Sequence, residues 1–249
     1  INQNPYHDDV NRMFGFAEVG FKANDWLNFT YRLGSDFYSD RRNQFFAINS
    51  KAYPAGQIFE QDYFYRHINS DLFASANKKL GKDFTGSLTL GQNMYGRYTQ
   101  SIYVEGDGLN FTDFKNFSVA SNILTRESHS RYRTAAMYAA GSLGYKSMLY
   151  LNLTGRNEMS STLPTGHNSF FYPSASLSYI FTEQFKLSTN KWFPYGKLRV
   201  SYAKVGKDAD PYSILNYYTQ SAFNDGWTPG VAFPIPTIIG TNIYNIVGF

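Results

Sequence analysis

From Met148 to Thr154 the chain alternates residue by residue. Leu149, Leu151 and Leu153 fall on one side, and Tyr150, Asn152 and Thr154 on the other. The pattern returns after a loop rich in Ser, Thr, Pro, Gly and Asn. Ala175, Leu177, Tyr179 and Phe181 alternate there with Ser174, Ser176 and Ser178. Successive side chains of a strand point to opposite faces, so each segment has an apolar wall and a wall of small polar groups. Two long strands of this kind suit a β-barrel with lipid on one side and water on the other.

The same grammar runs through most of the chain. Ala17, Val19 and Phe21 oppose Glu18, Gly20 and Lys22, and Ala23-Asn24-Asp25 links them tightly to Leu27, Phe29, Tyr31 and Leu33. A polar and aromatic stretch then reads as a long loop up to about Gln61. A weaker strand passes through Leu72 and Ala74. Gly81-Lys82-Asp83 turns it into Leu88 and Leu90, and the region from Glu105 to Glu127 reads as long and irregular. Arg131 to Leu143 is the next strand, turned by Gly144-Tyr145-Lys146 into the leucine strand. Glu183 to Pro194 is a longer turn before Leu198, Val200 and Tyr202. No period is sustained after Lys207. Tight turns at one end and long loops at the other, with Gly, Asn and Asp at the turns, predict an antiparallel transmembrane barrel of about eight strands. If the tight turns face the periplasm, the first strand runs down and the last runs up. Both chain ends would then lie outside, which fits a slice of a larger barrel better than a complete small one.

Composition sets the limits of other readings. The 249 residues carry 23 Lys+Arg and 19 Asp+Glu, net +4, with no basic run or zinc pattern, so a nucleic-acid partner is not expected. There is no cysteine, hence no disulfide and no thiolate metal site. Mean hydropathy is −0.40. No apolar run approaches the roughly 20 residues of a spanning helix, but a barrel strand needs only about 9–11 alternating ones. Aromatic residues make up 18% of the chain, enough for interfacial girdles. The alternative is the inner face of a soluble, extracellular carbohydrate-binding or adhesion sandwich.

Two segments, GRNEMSSTLPTGHNSFFYPSASLSYIFTE (Gly155–Glu183) and YGKLRVSYAKVGKDADPY (Tyr195–Tyr212), closely resemble the SusC/RagA family of TonB-linked outer-membrane transporters of Bacteroidetes. Asp36-Phe37-Tyr38-Ser39-Asp40-Arg41-Arg42 resembles an earlier stretch of the same family. The resemblance implies that residues 1–249 belong to a barrel of about 22 strands, without the plug, TonB box or closing strand. It implies energised import of glycans or peptides, a SusD-like lipoprotein as lid, and TonB as the energy source.

Chemical motifs are few. The sequons at Asn28, Asn110, Asn116 and Asn152 read as chance in an Asn/Thr-rich chain, two of them lying inside strands. Asp208 and Asp210 could hold a hard cation or cap their own turn. Glu105-Gly106-Asp107-Gly108 reads as a loop tip. His7, His67, His129 and His167 are scattered, so no metal ligand set, cofactor or catalytic group is expected. Arg32, Asn152, Arg156 and Arg199 fall on polar walls, where they would line a wet lumen or face a plug. Tyr212, Tyr217, Tyr218 and Trp227 would meet a lid or the incoming solute, or pack within their own loop.

Overall fold

The computed structural model describes residues 4–111, 114–185 and 195–214, and the backbone of two further strands, Tyr217–Gln220 and Pro234–Thr237. Eight strands form one sheet in chain order: β1 (Tyr6–Asn24), β2 (Leu27–Phe46), β3 (Gln57–Leu80), β4 (Phe84–Leu109), β5 (Ala120–Tyr145), β6 (Leu149–Ser160), β7 (Ser169–Tyr179) and β8 (Leu198–Ala203). Neighbours in sequence are neighbours in the sheet, as in an antiparallel meander. A short helix, α1 (Phe181–Gln184), follows β7. Strands β9 (Tyr217–Gln220) and β10 (Pro234–Thr237) pair antiparallel in a separate ladder, where the sequence shows no period.

The chain divides into two compact units. The first comprises Ile1–Val19, Thr30–Asp71 and Met94–Arg131; the second comprises Gly20–Phe29, Leu72–Asn93 and Tyr132–Phe249.

The first unit contains the apolar cluster of Phe45, Ile58, Leu109 and Val119, with Ile48 and Phe117 packed against it. It lies where the connections 47–56 and 110–119 meet. Leu109 N–H donates to the Ala55 carbonyl at 2.8 Å, and Asn110 N–H to that of Val119 at 2.9 Å. Asn116 caps the 3₁₀ turn Phe117–Val119, its side chain accepting from Ser118 N–H at 2.9 Å. Strands here are longer than alternation suggests. β2 runs on to Phe46 and β4 to Leu109, and β5 starts at Ala120. The irregular region expected between Glu105 and Glu127 therefore shrinks to residues 110–119. Polar residues fall on both faces of these strand ends, which erases the two-residue signal.

The second unit contains the tight turns. That between β5 and β6 is built by Lys146 and Ser147, both with positive φ, of 47° and 57°. Gly144, expected inside this turn, is instead in β5. A Cβ there would sit 2.6 Å from Thr85 Oγ1 and 3.0 Å from the Tyr150 ring, so glycine serves close packing. Much of the expected turn from Glu183 to Pro194 lies outside the described residues.

Register in the second unit sorts the side chains. On one face Leu143, Leu151, Leu177 and Val200 stand in a row across β5 to β8, with Leu153 beside Gly141 and Ala175. On the other, Ser142, Asn152, Ser176 and Ser201 form the matching row. Exposure is inverted relative to a water-soluble sheet: Leu177 is 46% exposed and Ser178 1%, and Met137 is 71% exposed while Thr134 is 8%. No helix among the described residues is long and apolar enough to cross a membrane, which does not bear on crossing by strands.

Candidate functional site

Three of the sequence-selected polar residues share the serine-rich face of the second unit. Asn152 donates to Ser176 Oγ at 3.3 Å, and beside it Thr154 and Ser174 bring their hydroxyls within 2.5 Å. Arg199 Nε donates to Ser178 Oγ at 3.2 Å. Arg156 is anchored twice, to Glu158 at 2.5 Å and to Asn93 Oδ1 at 3.2 Å. Its register partners are Tyr138 and Tyr172. Gly91 gives Tyr138 its place, since a Cβ there would lie 2.5 Å from the Tyr138 ring and 2.8 Å from Phe73 Cβ. The result is a hydroxyl and amide surface on which Glu158 balances the charge of Arg156.

Arg32 belongs to the first unit. It is paired with Glu18 at 2.5 Å, and its guanidinium lies 5.7 Å from the Phe16 ring centroid. Near it is a surface that sequence reasoning missed. Tyr38 stacks on Tyr65 at 5.1 Å and leans on Tyr63 at 5.7 Å; Tyr65 Oη is 3.1 Å from His67 Nδ1, and His67 is 5.7 Å from Tyr95. Arg12, held by Asp36 at 2.6 Å, lies 6.0 Å from the Tyr38 ring centroid. The row uses one face of β2, β3 and β4, and regular spacing at Tyr63, Tyr65 and His67 is its only sequence signal. Farther along, Gln57 donates to both Glu105 and Asp107, at 3.0 and 2.9 Å. Tyr103 donates to Glu105. Gly106, expected at a loop tip, lies in β4, where a Cβ would meet that of Ala120 at 2.8 Å.

Asp208, expected to hold a cation or cap its own turn, gathers side-chain hydroxyls from distant segments and also the N–H of its own backbone. Its Oδ2 accepts from Ser160 Oγ at 2.5 Å, Tyr132 Oη at 2.9 Å and Thr162 Oγ1 at 3.2 Å. Ser160 Oγ in turn accepts from Thr162 N–H at 3.3 Å. Burial raises the carboxyl's affinity for a proton, but the hydroxyl donors outweigh it and hold Asp208 below its ordinary value. The clip joins the segment after β8 to β5 and to the β6–β7 connection. Among the described residues no cluster of three or more His, Asp or Glu has the geometry of a metal site. An open groove of about 860 Å³ lies beside the clip, lined by His167, Phe171, Tyr172, Lys204 and Lys207 among others.

Of the four loop aromatics, Tyr212 is exposed and has a positive φ of 66°. Tyr217 and Tyr218 belong to β9, opposite Thr237 and Pro236; only their backbone is described, and Trp227 lies outside the described residues.

No family model matches the chain. A TonB-dependent receptor of Formosa agariphila is 30% identical over 115 residues, which is 46% of this chain and 12% of that protein. The structure of the RagAB peptide transporter superposes with a TM-score of 0.81 at 14% identity, over 97% of this chain and 27% of the other. The RagAB peptide importer in its closed-closed state gives 0.79 at 15% identity, over 98% and 27%. In its open-open state it gives 0.77 at 14%, over 95% and 26%. At such identity the structural likeness speaks for the fold, and the sequence relative for the lineage. Together with the inverted eight-stranded sheet, they show the fold of about a quarter of the RagAB peptide transporter and a sequence likeness to a TonB-dependent receptor over 46% of the chain, which spans only a small part of either protein.

Proposed function

We propose that the chain forms a wall of an outer-membrane importer energised through TonB, with the leucine face against lipid and the serine, asparagine and arginine face lining the lumen. The observation that carries this reading is the inversion of exposure across β5 to β7. A continuous exposed apolar face of this extent is costly in water and is what a bilayer covers. It also counts against a soluble adhesion or carbohydrate-binding sandwich, whose apolar face would be packed inside. Passage through the wall needs no covalent chemistry, so the protein is not an enzyme on this reading. The solute is a glycan or a peptide. Tyrosine rings offer apolar faces with hydroxyl edges to either, and Arg12, Arg32 and Arg156 keep the path polar. TonB acts through parts of the transporter outside these residues. A SusD-like lipoprotein closes the outer end, met by the segment that contains Tyr212, Tyr217, Tyr218 and Trp227.

Fractionation of cells expressing the full-length transporter tests the membrane claim. It should co-purify with outer membranes and lose uptake of its solute when TonB is deleted. Recovery in the soluble periplasmic fraction would refute the reading. Removing residues 223–230 should weaken lid binding or uptake without preventing barrel assembly; unchanged lid binding and uptake would exclude the lid contact alone.

A further inference from the structure

At the tight-turn end of the second unit, cations and rings are interleaved on the leucine-bearing side. Lys78 Nζ lies 5.7 Å from the Trp26 ring centroid and Lys146 Nζ 5.2 Å from that of Tyr145. Phe84 packs on Tyr145 at 4.8 Å. Trp26, in the turn before β2, Leu80 and Phe84 are all exposed, and alternation continues the face of Leu80 and Phe84 into Leu88, Leu90 and Leu143. Lys82 is exposed at the tip of the β3–β4 turn. The acids nearby offset this set only in part. Asp25 is taken by Lys22 at 2.8 Å, and Asp83 reaches only Lys146, at 4.0 Å. Lys78 and Lys82 have no carboxylate at ion-pairing distance among the described residues.

Rings that border an apolar band sit at the level of lipid headgroups, and a lysine stem lying along a ring carries its ammonium to the same depth. The anion available there is a lipid phosphate. We propose that Lys78, Lys82 and Lys146, with Trp26 and Tyr145, bind the headgroup of an anionic phospholipid in the leaflet at the tight-turn end. The site rests on the membrane reading above. Its ligand is recognised by charge and by depth, with the rings fixing the depth. Each lysine then adds attraction that salt weakens.

The test uses the full-length transporter in nanodiscs of phosphatidylcholine with and without phosphatidylglycerol, with retained lipid counted by native mass spectrometry. The wild type should keep phosphatidylglycerol at low salt and lose it at high salt. Lys78→Gln, Lys82→Gln and Lys146→Gln together should cut retention, by about fivefold per lysine. Lys79→Gln is the control, because Lys79 is the next residue of β3 and alternates to the face opposite Lys78 and Leu80. Equal retention by the triple variant, or equal loss in the Lys79 variant, would overturn the site. Insertion of the wild type with no preference for phosphatidylglycerol would overturn it too while leaving the membrane reading intact. Failure to insert into either nanodisc would overturn both.

Discussion

A carboxylate that collects three hydroxyl donors from two other segments is worth more than its partial burial suggests. Charge-assisted hydrogen bonds are the stronger kind, and removing the acceptor strands Ser160 and Thr162, both buried. Asp208→Ala should loosen the segment after β8 by about 2 kcal/mol. Trypsin should then cut faster at Lys204 and Lys207, while the rest of the sheet stays protected. The pH dependence follows from the direction of the shift. A carboxyl depressed in the folded state contributes fully above its ordinary value, 3.8 here, and loses that contribution as pH falls through the lower folded value. Protection of the wild-type segment should therefore hold from neutral pH down to that value and fail only below it; failure near neutrality would exclude the clip as its cause. The sequence shows Asp208 after a glycine, but its donors lie 76, 48 and 46 positions upstream. A carboxylate's partners at such separations leave no local pattern. Asn116 is a milder case: the cap it makes is written in Asn116-Phe117-Ser118, but the sequon at the same residues draws attention away from it.

Strand existence was legible wherever the two faces meet different solvents. The row Leu143, Leu151, Leu177, Val200 and its partner row Ser142, Asn152, Ser176, Ser201 could both be anticipated from alternation in β6, β7 and β8. Strand length was not legible. In β2 the run Asp36 to Arg42 puts ionic groups on both faces, with Arg41 reaching Glu60 at 2.5 Å on one side and Arg42 reaching Asp40 at 2.5 Å on the other. With both faces polar, alternation has nothing to sort, and the segment looks like a loop. The same contrast sets a test of the faces. Leu151→Arg, placed on the apolar row, should destabilise the inserted barrel by roughly 2–4 kcal/mol, measured by reversible unfolding from lipid vesicles. Asn152→Arg, one residue away and on the opposite row, should cost much less. Equal losses would mean that the two faces do not meet different solvents.

For the whole molecule, connection length carries the orientation. Residues 25–26, 81–83 and 146–148 join strands at one end, and 47–56, 110–119 and 161–168 join them at the other. Two of the longer connections, 47–56 and 110–119, pack on a core of the first unit made by Phe45, Leu109 and Val119. Outer-membrane barrels carry short turns on the periplasmic side and longer loops on the extracellular side. Single cysteines on the otherwise cysteine-free chain report the side directly. Lys82→Cys and Asn24→Cys should resist a membrane-impermeant maleimide on intact cells and react once the outer membrane is opened. Lys51→Cys and Gly166→Cys should react on intact cells, both being exposed in the structure. Gly166 has φ +92°, so its variant needs a check that the barrel still assembles. Labelling of position 82 without labelling of position 51 would reverse the orientation. It would also turn the lysine and aromatic end toward the outer leaflet, leaving the long connections on the wrong side to meet a surface lid.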